Sequence, residues 1–179
     1  MKLSGTPVLR TEHLTLRRFT VDDAPAMFLG WASDFQVTKY LLWPTHQCVE
    51  ESRNILKKWV REYARNDSLR WAIERDASLV GSIAVVEMDK PLDEVRLGFC
   101  VGRAWWNHGI ATEAVLSVMS FLFDDVGANR VEASCDSRNL AARSVLEKSG
   151  MRLEGLLRSA HYDNFGRCDR CIYARLADN

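Results

Sequence analysis

The sequence predicts a single α/β domain of α+β character over residues 1–179, built on a mixed central sheet of about six to seven strands flanked by helices. Three observations predict it. An alternating run at 69–74 and strand-like runs at 79–87 and 94–101 are separated by short turn segments, the pattern of an antiparallel meander. Downstream, apolar residues recur at helical spacing, then strand-like and helical runs alternate to the C-terminus, so one strand pair should be joined by a helical crossover and run parallel. With 179 residues, 47% apolar and 27% charged, the chain suits one domain with one sizeable core.

Each element has its own justification. Leu14–Phe19 alternates and reads as a half-buried strand. Thr20 followed by Asp22 and Asp23 marks a helix start, with a short helix expected to about Gly30. Trp31–Trp43 holds apolar Val37, Tyr40, Leu41 and Leu42 and suits a short helix ending before Pro44. Glu50–Arg65 is a clearer helix, with Ile55 and Trp59 on one face and Lys57, Lys58 and Arg61 off it. Asp76-Ala77-Ser78 reads as a hairpin turn, and Asp89–Asp93 as a loop before the strand Glu94–Val101. Gly98 inside that strand suggests a bend or bulge. Ala111, Val115, Val118 and Leu122 then share a helical face, with Met119 beside them. Asn129–Cys135 is the next strand. Asn139 suits the N-cap of a helix reaching Ser149, with Gly150 at its C′ position. Met151–Arg158 and Arg170–Leu176 are the last two strands.

Composition excludes some classes. The 24 basic residues balance 24 acidic ones. A general nucleic-acid binder or membrane-surface binder would need a basic field, so neither partner is expected. No stretch is apolar enough to span a bilayer, and the first residues lack the apolar core of a signal peptide, so a cytoplasmic location is expected. Five scattered cysteines fit reduced thiols better than a disulfide framework. Cys168 and Cys171 form a Cys-x-x-Cys pair, but a structural zinc site needs four ligands and no second pair is present; no metal is expected.

The stretch with most chemical content joins the strand Glu94–Val101 to the following helix. It reads Trp105-Trp106-Asn107-His108-Gly109-Ile110-Ala111-Thr112-Glu113-Ala114. A helix start offers several backbone N–H groups without intrahelical partners, plus the positive end of the helix dipole. Together these can hold a phosphate without a basic side chain. The same spacing also fits an ordinary strand-to-helix turn. It does not match the Gly-rich phosphate loop ending in Lys-Ser/Thr, nor the triple-glycine dinucleotide fingerprint.

Those ten residues resemble the acetyl-CoA-binding motif of the GNAT superfamily of N-acetyltransferases, closest to the ribosomal-protein N-terminal acetyltransferases. Two further blocks agree in order and spacing: Asn139–Gly155 followed by Leu156-Leu157-Arg158, and Gly166–Tyr173. The resemblance runs from about Leu14 to the C-terminus and implies a GNAT-like fold, acetyl-CoA as acyl-donor cosubstrate, and an amine acceptor. Gly109 and Ala111 fall on the small positions of the family's Arg/Gln-x-x-Gly-x-Gly/Ala signature, whose first position is here Trp106.

The resemblance also implies residue roles. The backbone of Asn107, His108, Gly109, Ile110, Ala111 and Thr112, with Trp106 before it, would hold the CoA pyrophosphate. Phe99, Cys100 and Val101 would pair with the pantetheine arm in a gap beside their strand, and an N–H near Val101 would polarise the thioester carbonyl. Asn139 would contact pantetheine, with Ser144 on the same helix. An amine can attack the thioester directly, so no cysteine nucleophile is required. His161, after the strand ending near Arg158, is the candidate base; a water, with His161 only a surface or substrate-lining residue, is the other possibility. Glu94 and Asp136 read as solvated charges. The usual proton donors to the leaving thiolate are missing, since Leu146 stands at the Tyr position and Ala142 at the Ser position. Ser144, Tyr162 or water would replace them. The N-terminal helices, with Trp31, Tyr40, Trp43 and Trp59, and a loop from His161 to Gly166 would form the acceptor pocket. An acyl-CoA-binding module without transfer activity, or a transferase using another acyl-CoA, also fits these residues. A homodimer is a possibility carried by relatives rather than by any residue here.

Overall fold

The computed structural model describes residues 1–177. One open eight-stranded sheet runs through it in the order β1-β2-β3-β4-β5-β6-β8-β7. Its strands are β1 (Leu9–Arg10), β2 (Thr15–Arg17), β3 (Arg70–Arg75), β4 (Ser78–Asp89), β5 (Glu94–Val101), β6 (Arg130–Asp136), β7 (Arg152–Asp163) and β8 (Gly166–Leu176). The helices are α1 (Ala24–Met27), α2 (Phe35–Thr38), α3 (Val49–Glu62), α4 (Ile110–Phe121) and α5 (Leu140–Lys148). None of them is long and apolar enough to cross a membrane among the described residues.

The period of two in the strands sorts side chains into two cores. Trp71, Ile73, Val101 and Tyr173 face one side and pack with Ile110, Val115, Val118 and Leu146 of α4 and α5. Trp71 meets Phe121 edge-on at 5.8 Å. Ala72 and Cys100 face the other side, under Trp31, Met27 and Leu56 of the α1–α3 layer. A two-residue turn with Asp76 and Ala77 both at positive φ closes the β3–β4 hairpin, the geometry that matches strand twist.

Among the described residues only β5 and β6 pair in parallel, and only from Glu94–Leu97 against Arg130–Ala133. Beyond Leu97 the two strands separate. A bulge on β4 between Val85 and Glu87 lies opposite this point, so the irregularity anticipated at Gly98 belongs to its neighbour strand.

The structure differs from the sequence reading at both ends. The sheet has eight strands rather than six to seven, because the two-residue β1 pairs with Leu16 and Thr15 and is too short to show a period. The helix expected to end near Gly30 continues as a π-turn through Ala32. The last two strands are longer than expected and joined by Asn164-Phe165, so no loop runs from His161 to Gly166. A bulge at residues 157–161, with Ser159 at φ +54°, breaks the alternation that would have revealed this. β8 lies between β6 and β7, leaving β7 at the edge.

Candidate active site

A cavity of about 680 Å³ opens where β5 and β6 part. Its walls are the end of β5, the turn into α4, the first turns of α5, and the α2 segment. The backbone of β5 supplies the first feature. Gly102 donates to Val80 O at 2.9 Å, so the antiparallel alternation makes Val101 opposite Gly81 and Phe99 opposite Ile83 the non-bonded pairs with β4. The N–H and C=O groups of Phe99 and Val101 therefore point away from β4, into the gap. The indole N–H of Trp106 donates to Val101 O at 2.8 Å and takes that carbonyl, leaving the Val101 N–H directed at the cavity.

The turn into α4 supplies the second feature. Asn107 and Gly109 both adopt positive φ, +63° and +76°. Left-handed residues in such close succession turn consecutive N–H groups to one side, a concavity suited to anions. Gly109 is the N-cap of α4 and has no side-chain cap. The helix's own ladder begins with Glu113 N donating to Gly109 O. Among the described residues no protein group accepts from the backbone amides of residues 107–112. A Cβ built on Gly109 would have nothing within 4 Å, so this turn faces open space.

Most of the residues expected at this site line the one cavity: Phe99, Cys100, Val101, Trp106, Asn107, Gly109, Ile110, Ala111, Thr112, Asn139 and Ser144. Asn139 also caps α5, its Oδ1 accepting from Ala142 N at 3.1 Å. Cys100 is buried against Ser82 Oγ at 3.3 Å; burial pushes its thiol pKa up, against thiolate chemistry. His108 turns its Nδ1 to Trp106 O at 2.8 Å and lies outside the cavity wall.

His161 sits within β7 opposite Cys168, not on a loop, and is outside the cavity wall. Leu146 is 1% exposed in the core, so the position that would carry a Tyr donor here holds packing. Tyr162 is 71% exposed and also off the wall, whereas Ser144 is on it. Of the aromatic residues expected around the acceptor, Tyr40 lines the cavity; Trp31 is core and Trp59 packs on Phe19 and Arg70. Tyr40 keeps its proton more firmly than usual because burial, then Asp136, disfavours the phenolate.

Sequence reasoning missed Lys39, Arg138 and Lys148, which also line the cavity. Arg138 and Lys148 flank the second motif block, but a local pattern does not show which way they face. Asp136 corrects the expectation of a solvated charge. It is 0% exposed and accepts from Arg138 Nε, Nη2 and the backbone N–H, the Nη2 bond at 2.5 Å. Burial pushes its pKa up, but these bonds outweigh that and hold it below the usual carboxylate range. Asp163, 4% exposed, lies beside it and is pushed up by burial and by the Asp136 charge. Glu94, the other expected solvated charge, pairs with Arg130 at 3.1 Å. The hairpin turn reaches across to the α2 side: Asn164 Nδ2 donates to Thr38 O at 2.9 Å and to Trp43 O at 2.7 Å.

Fold and cavity thus set a helix start with open backbone amides beside a gap between parted strands. Residues 13–152 match the acetyltransferase (GNAT) domain family, and the chain belongs to that family of acetyltransferase enzymes. It is similar to the uncharacterized N-acetyltransferase YoaA of Bacillus subtilis (strain 168), 29% identical over 170 residues covering 94% of this chain and 96% of YoaA. Among solved structures it is similar in fold to a GNAT-family acetyltransferase from Bacillus anthracis, with TM-score 0.85, 24% identity, and coverage of 97% of this chain and 100% of that one. It is also similar in fold to RimL, the ribosomal L7/L12 α-N-protein acetyltransferase in complex with coenzyme A. There the TM-score is 0.84, with 20% identity and coverage of 95% and 98%.

Proposed function

We propose that the chain moves an acetyl group from acetyl-CoA directly onto a primary amine, either a protein N-terminus or a small molecule. The observation that carries this is the set of open amides at residues 107–112, set at the mouth of the gap between β5 and β6. The residues present fit the cosubstrate. The amides and the α4 dipole would hold the pyrophosphate, and Lys148 adds a positive charge on the same wall. The backbone groups of Phe99 and Val101 would bond the pantetheine arm, and the Val101 N–H would face the thioester oxygen as its charge grows.

Amine attack forms the new C–N bond as the C–S bond breaks, with no covalent enzyme intermediate. The buried, protonated Cys100 agrees with that path. We assign the amine proton to a water; His161 lies in β7, off the cavity lining. Of the wall hydroxyls Tyr40, Thr112 and Ser144, Thr112 belongs to the turn assigned to the diphosphate, which leaves Tyr40 and Ser144 to protonate the leaving thiolate. Holding both reactants in one cavity supplies much of the rate through proximity.

Calorimetry with acetyl-CoA, followed by free-thiol release across a panel of amines, tests the reading. Binding with amine-dependent thiol release is expected. Binding without release on any amine would refute transfer, and release only with a longer acyl-CoA would refute acetyl as the group moved. In the same assay His161→Ala should keep kcat near wild type; a steep loss near neutral pH would return the base role to His161.

A further inference from the structure

The charges on the cavity wall are all of one sign. Among the described residues that line it, the ionisable acids and bases other than Tyr and Cys are Lys39, Arg138 and Lys148, with no Asp or Glu. Lys148 belongs to the α5 wall beside Ser144, the cosubstrate side. Lys39 comes from the residue after α2 and Arg138 from the turn before α5, and aromatic contacts tie them together. Lys39 Nζ lies 5.0 Å over the Tyr40 ring, Tyr40 meets Phe165 edge-on at 6.0 Å, and the Arg138 guanidinium lies 4.5 Å over Phe165. Lys39 has no carboxylate partner among the described residues; its Nζ bonds only the amide oxygen of Gln36, at 3.3 Å. Asp136 takes Nε and Nη2 of Arg138, leaving Nη1 unengaged.

We infer that the acceptor amine carries an anionic group, a carboxylate or a phosphate, which Lys39 and Arg138 bind. The inference rests on the transferase reading above and narrows its substrate class. A polyamine or an aminoglycoside would bring extra ammonium groups to a wall that carries Lys39 without a carboxylate partner, and whose nearest acid, Asp136, is already held by Arg138. Such like-charge contact inside a partly enclosed cavity is screened less than at an open surface. An anionic group instead gains a charge-assisted bond at a place where the protein has left donors unmatched.

The test uses the full chain with acetyl-CoA and matched tripeptides amidated at the C-terminus, so that only the middle side chain differs in charge: Ala-Glu-Ala, Ala-phosphoserine-Ala, Ala-Gln-Ala and Ala-Lys-Ala, with spermidine beside them. The expected order of kcat/KM is acidic above neutral above basic, with about a tenfold gap between the Glu and Lys peptides that narrows at high salt. Whichever of the Glu and phosphoserine peptides is faster identifies the anion. Lys39→Glu, a change at a half-exposed side chain, should reverse the order so that the Lys peptide leads. Equal or faster turnover of the Lys peptide or spermidine by the wild type would overturn the inference and leave the transferase reading intact. So would an unchanged Glu/Lys ratio in Lys39→Glu. Acetyl-CoA binding with no thiol release on any acceptor would overturn the transferase reading and this inference with it.

Discussion

Gly109→Ala separates the two jobs of one residue, and Gly127→Ala serves as its control. Gly109 has φ +76° and ψ −5° at the start of α4; Gly127 has φ +74° and ψ 39° just past its continuation. A Cβ at either position would meet nothing within 4 Å. Both substitutions therefore cost left-handed strain alone, roughly 1–2 kcal/mol each. For a protein of this size that lowers Tm by about 2–8 °C. The difference lies in what the methyl faces. At Gly109 it would stand in the turn whose amides are proposed to meet the diphosphate; Gly127 is not on the cavity wall. Thermal unfolding and acetyl-CoA calorimetry on both variants should show similar drops in Tm. Affinity should fall at least about tenfold, or 1.4 kcal/mol, in Gly109→Ala only. Equal affinities in the two variants would refute the reasoning.

Other outcomes follow from single features of the structure. Of five cysteines only Cys48 is exposed, and burial pushes the Cys135 and Cys168 thiols up to about 12, so native alkylation should label one thiol and unfolded protein five. Two or more fast-reacting thiols would contradict the packing. Leu146→Tyr should not create a proton donor but overpack the core, at a cost of about 1–3 kcal/mol, read as a lower denaturant midpoint with no gain in kcat. Asp136 is held below the usual range, so it binds its proton less readily folded than unfolded. Its contribution is full above the unfolded pKa near ~3.9 and is lost as pH falls through the lower folded value. Asp136→Asn should therefore flatten the acid side of a stability-against-pH curve; an unchanged slope would show that the Arg138 bonds leave this proton untouched.

What was legible in the sequence was what local period records. Trp71, Ile73, Leu97 and Val101 alternate, and they build one core; the single glycine after Trp-Trp-Asn-His marked the start of α4. The cavity lining from Phe99 to Thr112 was reached through the same period and through the resemblance of the motif. What was hidden depends on long-range pairing or on broken period. The bulge around Ser159 erased the alternation of β7 and moved His161 from an expected loop into a strand. Asp136 looked like a solvated acid because Asp163 and Cys168, which help bury it, arrive only when β7 and β8 fold back along β6; Arg138 is a local partner, but its spacing does not reveal burial. Lys39 and Tyr40 sit in a segment with no clear helical face, and their place on the wall is set partly by Asn164 bonding Thr38 and Trp43 from the far end of the chain.

Amide chemical shifts of residues 107–112, followed by NMR as coenzyme A is added, test the diphosphate grip most directly. Large downfield shifts at Gly109, Ile110, Ala111 and Thr112 that saturate with the calorimetric Kd are expected. Saturated binding that leaves those amides unmoved while others shift would place the diphosphate elsewhere.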